Sequence, residues 1–140
     1  MKIERILIED QMAPIGLDQT IPVFSWILTA DEGEQNLLQS ACRIVVQDQK
    51  NTVWDSKKME TDVSTGIAYQ GEELKPCTKY LVKAEVWNNQ GGKEEAETTF
   101  ETGFLTSSIE AWEKAQWIGA PHATVCAENR GVFTIESEFR

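Results

Sequence analysis

The chain has 140 residues, of which 41% are hydrophobic, and this composition suits the core of one ordinary domain rather than a disordered segment. Its 23 acidic and 13 basic residues give a formal net charge of -10, which repels phosphate backbones and excludes nucleic acid as an expected partner. The sequence contains no run of about 18 apolar residues, so no membrane-spanning segment is predicted.

The cysteines and the first residues bear on the cellular compartment. Cys42, Cys77 and Cys126 are odd in number and have no C-x-x-C spacing, which indicates free thiols in a reducing compartment rather than a metal site. The N-terminal sequence MKIERILIEDQ has scattered charges and lacks the apolar segment of a secretory signal. If Met1 is the native start, we expect a cytoplasmic protein. No cofactor is expected.

Short segments of alternating apolar and polar residues follow one another along the chain. A first strand is predicted at 3–9 and a loop at 10–21, where proline, glycine and aspartate occur together. In the next strand, 23–29, a period of two places Phe24 and Trp26 on one face, which we expect to be buried. Further strands are predicted at 42–48, 52–56, 64–71, 80–87 and 96–102. About seven short strands without a long helix between them predict an all-β, immunoglobulin-like sandwich.

The segment LKPCTKY, residues 74–80, is typical of a tyrosine corner in such a sandwich. There a tyrosine near the start of strand F bonds through its hydroxyl to backbone a few residues upstream. We expect Leu74 to pack inward, Pro76 to fix the bend and Tyr80 to close it. Val82 stands where an antibody-type domain has a cysteine, which favours the fibronectin type III arrangement over the disulfide-bonded immunoglobulin one.

The pattern changes after Phe104. Ser107 and Glu110 have the S-x-x-E spacing of a capping box, which predicts a two-turn helix at about 109–115. The sequence GVFTIESEFR at 131–140 alternates again and predicts a strand that has no partner in the chain, so we expect the last twenty residues to be poorly ordered or to pair with another chain. Three parts are predicted: a sandwich at 1–105, a short helix and linker at 106–119, and the truncated beginning of a second β-sandwich at 120–140.

Seven segments, taken in order, resemble the N-terminal region of bacterial α-L-rhamnosidases. They are PVFSW (22–26), QSACRIVV (39–46), VWDSKK (53–58), YQGEELKPCTKY (69–80), VWNNQGG (86–92), FETGF (100–104) and AWEKAQWIG (111–119). The resemblance covers nearly the whole chain. The chain departs from the family pattern at Cys42, often a tyrosine, at Val82, often a tryptophan, and at Lys57, often a glycine.

The resemblance implies a function that this chain does not perform alone. In that family the corresponding region is a fibronectin type III-like sandwich, followed by a second β-sandwich, a catalytic helical barrel and a further β domain. The enzymes remove terminal L-rhamnose from glycosides with inversion at the anomeric centre, and the acid and base belong to the barrel. The chain is therefore expected to be a non-catalytic accessory domain that braces the downstream domains of the same polypeptide.

Catalysis by the chain itself is not expected. Inverting glycoside hydrolysis needs two carboxyl groups about 6.5 to 9.5 Å apart, one of them with a raised pKa. Glu72 and Glu73, like Glu94 and Glu95, lie in or beside predicted turns, where no apolar pocket would shift a pKa. The single histidine, His122, has no nucleophile placed near it by spacing. We therefore assign no catalytic, cofactor-binding or metal-binding residue.

Four tryptophans are candidates for sugar stacking or for a domain interface. Trp54 lies in a short strand expected near an edge, and Trp87 lies on the outward face of strand F, so the two could form a stacking platform. Trp112 and Trp117 flank the predicted helix. The interpretation we favour is that Trp87, Trp112 or Trp117 is covered by a neighbouring domain. The alternative functions are a carbohydrate-binding module and a stand-alone interaction domain.

Overall fold

The computed structural model describes residues 1–113 and 115–116 of the chain. The chain forms two compact units, Met1–Ser107 and Ser108–Arg140. The first unit contains seven strands: β1 (Lys2–Ile8), β2 (Val23–Thr29), β3 (Gln39–Gln47), β4 (Thr52–Asp55), β5 (Ile67–Ala68), β6 (Lys79–Asn88) and β7 (Lys93–Glu101). The predicted all-β fold is thereby confirmed.

The strands form two antiparallel sheets with the core between them. One sheet has the order β1-β2-β5 and the other the order β4-β3-β6-β7. Phe24 of the first sheet contacts Phe100 of the second, with ring centroids 6.3 Å apart. The most completely buried large side chains are Tyr80, Phe24, Phe100, Ile8, Ile44, Val46, Val82 and Val86. Because both sheets contribute to one apolar cluster, the unit is an immunoglobulin-like sandwich.

The tyrosine corner forms as predicted. The backbone N–H of Lys75 donates a hydrogen bond of 2.8 Å to the hydroxyl of Tyr80. The ring of Tyr80 is 1% exposed and stacks on Phe100 at a centroid distance of 5.1 Å. Leu74 is buried, as expected. The hydroxyl of Thr102 donates to the carbonyl of Lys75 at 2.6 Å, so the corner is also fastened to the end of β7.

Trp26 lies in the core, as the period of two in β2 predicts, and its single polar group is satisfied there. Its indole Nε1–H donates to Oε1 of Gln39 at 2.9 Å. The amide nitrogen of the same glutamine donates to the carbonyls of Thr61 and Val63, at 3.1 and 2.7 Å. Burial of the Gln39 amide costs little free energy because these hydrogen bonds are made. The same bonds hold the connection between β4 and β5 against the sandwich.

The predicted strand at 64–71 is wrong in extent, because only Ile67–Ala68 is a strand. The segment changes sheets along its length. The carbonyl of Ser64 accepts a hydrogen bond of 2.9 Å from β2, whereas the N–H of Glu72 donates one of 2.9 Å to β4. Since the backbone turns from one sheet to the other, no long ladder can form on either.

Two other strands begin earlier than predicted. β3 begins at Gln39 rather than 42, and β7 begins at Lys93 rather than 96. Lys93 pairs with Trp87 and continues a regular ladder, whereas Gln39 pairs with Asn88 across a register shift between Gln39 and Ala41. The β3 extension begins with a polar residue that is buried, Gln39, and the β7 extension consists of Lys93, Glu94 and Glu95, so neither shows the apolar alternation that a sequence pattern depends on.

The predicted two-turn helix is wrong for the described residues. The second unit begins with a single 3₁₀ turn at Ile109–Trp112. Its N-cap is Ser108, whose hydroxyl accepts from the N–H of Glu110 at 3.2 Å, rather than Ser107. Glu113 follows with a φ of 48°, which ends the helix because a right-handed helix needs a negative φ. The predictions for 120–140, including His122, lie outside the described residues.

Across residues 1–113 and 115–116, no helix has the length and apolar character needed to cross a membrane.

Candidate functional site

A row of alternating charges crosses the outward face of the four-stranded sheet, with one residue from each strand. Arg43 donates two hydrogen bonds to Asp55, from Nε at 2.9 Å and from Nη2 at 2.8 Å, and a third from Nη1 to Glu85 at 3.2 Å. Lys93 Nζ donates to the other oxygen of Glu85 at 2.7 Å. We call these four residues the charged row. Each charge has an oppositely charged neighbour, and the forked guanidinium adds two side-chain hydrogen bonds between the paired strands β3 and β4.

The charged row keeps its carboxylates ionised. Hydrogen bonds from Arg43 and then from Lys57 hold the pKa of Asp55 well below its usual range. The hydrogen bond from Lys93 lowers the pKa of Glu85. Lys57 itself has a backbone φ of 59°, which explains why glycine would suit this position.

Lowered carboxyl pKa values are the wrong property for a catalytic acid. In the part of the chain that the structure describes, each carboxyl group whose pKa departs from its ordinary value is lowered: Asp31, Glu34, Asp48, Asp55 and Glu85. A glycoside hydrolase acid needs a raised pKa instead. Glu72 and Glu73 are exposed, and Glu94 and Glu95 are adjacent residues of β7. Adjacent strand residues point to opposite faces, so Glu94 and Glu95 do not face a common substrate.

Trp87 lies beside the charged row on the same outward face of β6, since Glu85 is two residues before it. Its side chain is half-buried. The ammonium groups of Lys58 and Lys93 lie 5.1 and 5.3 Å from the ring centroid, both within range of cation–π attraction. A sugar that stacked on this indole would compete with these cations, at about 0.5 to 1 kcal/mol each for exposed groups.

Trp54 faces the other way, toward the core. Its ring stacks on Phe24 with a centroid distance of 5.8 Å and meets Tyr69 edge-on at 5.3 Å. The residue also lines a groove of about 530 Å³ between the open edges of β4 and β5, together with Met59 and Ile67. Trp54 is therefore an edge residue, as predicted, but most of its contacts are with core aromatics.

The structure does not bring the sequence-predicted tryptophans together. Trp54 and Trp87 lie on opposite faces of the four-stranded sheet, so these two indoles do not form one stacking platform. Trp112 is about half exposed in the 3₁₀ turn, and Trp117 lies outside the described residues. Their assignment to sugar stacking or to a domain interface stays a prediction.

Two features were missed by reasoning from the sequence. The charged row could have been predicted from the sequence, because Arg43, Asp55 and Glu85 occupy outward positions of predicted strands and their charges alternate in sign. Three large apolar residues, Met12, Ile15 and Ile21, also occur in or at the end of the predicted loop at 10–21. Apolar residues in a segment marked by proline and glycine are themselves a signal of surface that binds something.

Metal binding finds no support in residues 1–113 and 115–116. They contain no group of three or more histidine, cysteine, aspartate or glutamate side chains that could hold an ion. Cys42 is buried, which raises the pKa of its thiol to about 11, whereas Cys77 is exposed.

Comparison with known proteins places residues 3–106 in one family. These residues match the family model described as the Rha78A-like, N-terminal immunoglobulin domain. An α-L-rhamnosidase of Formosa agariphila is 32% identical over 136 residues, which cover 91% of this chain and 14% of the relative. An α-L-rhamnosidase of Streptomyces avermitilis is 36% identical over 122 residues, covering 81% of this chain and 11% of the relative.

A solved structure agrees with the sequence relatives. The crystal structure of the Streptomyces avermitilis α-L-rhamnosidase complexed with L-rhamnose superposes with a TM-score of 0.75 at 32% identity. The superposition covers 86% of this chain and 12% of that one. The chain thus spans about one seventh or less of the length of the relatives it matches.

Proposed function

Because the chain belongs to the family of Rha78A-like N-terminal immunoglobulin domains, we propose that it is the non-catalytic accessory domain of an α-L-rhamnosidase-type glycoside hydrolase. The observation that carries this proposal is the family match over residues 3–106, combined with relatives of which the chain is a small part. The activity, removal of terminal L-rhamnose with inversion, would belong to the longer polypeptide and to carboxyl groups in its other domains.

The contribution of the domain itself is proposed to be mechanical: it braces the domains that follow it. Its own construction supports this role. The described core lies within Met1–Ser107, the corner at Tyr80 is hydrogen-bonded to Thr102 at the end of β7, and the charged row spans the strands of the larger sheet. A domain with these internal ties can hold a neighbour without itself deforming.

Three proteins test the proposal: the longer polypeptide, the same polypeptide without residues 1–107, and the 140-residue chain. Hydrolysis of an aryl α-L-rhamnoside and thermal unfolding are measured for each. We expect the longer polypeptide to be active and the 140-residue chain to be inactive. Loss of residues 1–107 should lower the unfolding temperature of the remaining domains or cause them to aggregate.

Each part of the proposal has its own refuting result. Rhamnoside hydrolysis by the 140-residue chain would overturn its non-catalytic role, and an inactive longer polypeptide would overturn the assigned activity. If the shortened polypeptide kept its unfolding temperature and its activity, the bracing role would be wrong. NMR of the first-formed sugar tests inversion, since an inverting enzyme releases β-L-rhamnose from an α-rhamnoside.

Carbohydrate contact is a second candidate function, favoured by the position of Trp54 in the groove between β4 and β5. An aromatic side chain in a concave site is a common element of sugar recognition. Titration of the 140-residue chain with L-rhamnose and rhamnosides, followed by tryptophan fluorescence, tests this function. Binding in the groove predicts a saturable change that is lost in Trp54→Leu and kept in Trp87→Leu. Tryptophan fluorescence that does not change with millimolar L-rhamnose or rhamnoside would count against carbohydrate binding.

A further inference from the structure

Three large apolar side chains stand in water between β1 and β2. Met12 is 66% exposed, Ile15 is 80% exposed and Ile21 is 61% exposed. We call them the exit-end patch. A shallow groove of about 380 Å³ lies beside Ile15, lined by the same loop. Single exposed apolar residues are ordinary in proteins, but a group of three in one connection is typical of surface that another protein part covers.

The exit-end patch lies at the end of the sandwich where the chain leaves the first unit. Leu17 forms a parallel bridge with Thr102, just after β7. The N–H of Leu17 donates to the carbonyl of Glu101 at 2.9 Å, and the N–H of Gly103 donates to the carbonyl of Leu17 at 2.8 Å. The patch is thus carried by a loop bonded to the last residues before the boundary at Ser107.

The loop presents these side chains on a fixed and strained backbone. Glu9, Asp10 and Ala13 have positive φ values of 50°, 60° and 45°, which non-glycine residues adopt at a cost. Reciprocal hydrogen bonds between Ile8 and Gln11, of 2.9 and 3.0 Å, hold the first of these turns. A strained and rigid loop with apolar tips is preorganised for contact, because little conformational entropy remains to be lost on docking.

The length of the relatives and the position at which the first unit ends indicate what covers the patch. Relatives of the chain are much longer than the matched region, which covers 14% of one and 11% of another, and the family model describes an N-terminal domain, so we take most of their length to follow it. The first unit ends at Ser107, a few residues after the segment that is bonded to the patch loop, so a domain tethered downstream has a higher effective concentration near the patch than a free protein has. A separate partner would have no such advantage.

We propose that the exit-end patch is the docking surface for a downstream domain of the same polypeptide, beyond Arg140. The proposal rests on the proposed function, because it supplies the contact through which the accessory domain braces its neighbours. The docking is apolar, with Met12, Ile15 and Ile21 as the side chains that lose water.

Hydrogen exchange tests the proposal directly. Backbone amides of residues 10–21 are compared between the 140-residue chain and the longer polypeptide. Covering the patch should slow their exchange by about tenfold or more, because buried apolar area opposes local opening. Amides around Leu38 and Val63, at the opposite end of the sandwich, serve as the internal control and should exchange alike in both proteins. Equal exchange of residues 10–21 in both proteins would overturn the proposal. It would also be overturned if raising the concentration of the 140-residue chain protected these amides, because a second copy of the chain would then be what covers the patch.

A matched pair of variants adds a second measurement. Met12→Ser with Ile15→Ser removes patch side chains that are 66% and 80% exposed, and Leu38→Ser with Val63→Ser removes ones that are 66% and 48% exposed. Neither pair should change the unfolding temperature of the 140-residue chain by more than a degree or two. In the longer polypeptide only the patch pair should lower it and abolish the protection of 10–21. Equal effects of the two pairs would refute the docking surface.

The rhamnoside assay distinguishes a failure of the docking surface from a failure of the assigned enzyme class. A longer polypeptide that hydrolyses rhamnosides but leaves the patch unprotected would refute the docking surface alone. One that protects the patch but lacks the activity would refute the assigned enzyme class alone.

Discussion

Replacing Tyr80 by phenylalanine removes one oxygen atom and leaves the buried ring in place, so the substitution isolates the corner hydrogen bond. The ring keeps its stacking on Phe100 at 5.1 Å, and no large cavity forms. The N–H of Lys75, which donates to the hydroxyl at 2.8 Å, loses its acceptor. A partly buried donor left without an acceptor costs about 1 to 3 kcal/mol. We therefore expect the free energy of unfolding to fall by about 1 to 3 kcal/mol.

Urea unfolding followed by tryptophan fluorescence measures this loss, and thermal unfolding should show about 4 °C for each kcal/mol in a unit of this size. Tyr69→Phe is the comparison variant, because its buried hydroxyl donates to the carbonyl of Glu72 at 2.7 Å, and a carbonyl that loses one donor is less costly than an N–H that loses its acceptor. The control should lose less than about 1 kcal/mol. A loss for Tyr80→Phe below about 0.5 kcal/mol, or one no larger than the control, would refute the corner as a source of stability.

Three further predictions concern a glycine, a carboxylate and two thiols. Gly71→Ala should destabilise the chain, because a Cβ there would lie 2.5 Å from three neighbouring atoms; an unchanged urea midpoint would contradict this close packing. The folded pKa of Asp55 lies below its unfolded value, so the stability that this carboxylate contributes is present above about pH 4 and is lost as the pH falls toward the folded pKa. Asp55→Asn should therefore make the free energy of unfolding less dependent on pH in the acid range. An unchanged pH dependence would contradict the assigned role of Asp55. At pH 8 a thiol reagent should label Cys77 quickly and Cys42 only after unfolding, and peptide mapping by mass spectrometry checks the order; equal labelling would be inconsistent with the buried thiol of Cys42, whose pKa is raised to about 11.

The fold could be predicted from the sequence wherever one face of a strand is apolar and the other face is polar. In β6, Tyr80, Val82, Ala84 and Val86 alternate with polar or larger outward residues, and all four are buried. The tyrosine corner was readable because its spacing reflects a specific hydrogen bond rather than a general preference. Period and turn chemistry act locally, so a local pattern was sufficient for them.

The errors occur where long-range contacts decide the backbone. The residues at 64–71 have strand-like composition, but hydrogen bonds to two different sheets restrict the strand to Ile67–Ala68. The helix after Ser107 was predicted from a capping spacing, whereas Ser108 is the N-cap and Glu113 ends the turn with a positive φ. A short helix is too weak alone for its sequence signal to determine its length.

The candidate site was readable only in part, for a related reason. Alternation correctly placed Trp87 on an outward face, but it could not show that Lys58, from a distant connection, lies over its ring. Alternation also could not show that Trp54 packs on Phe24 of the other sheet, since that contact depends on how the sheets face each other. A strand pattern gives the face of a side chain and leaves open what covers that face.

This distinction bears on how an accessory domain is to be understood. Aromatic residues suggested a binding surface, yet Trp54 contacts core aromatics and Trp87 contacts two ammonium groups, so both already have partners within the first unit. Within the first unit, the most exposed large apolar side chains are not aromatic: they are Ile15, Met12, Leu38 and Ile21, and Ile15 lies on a loop bonded to the end of β7. An aliphatic surface offers neither hydrogen bonds nor a flat ring to a sugar, but it gains free energy from contact with another apolar protein surface. The apolar surface that the first unit leaves uncovered therefore agrees better with the proposed contact to a protein domain than with the alternative of carbohydrate contact.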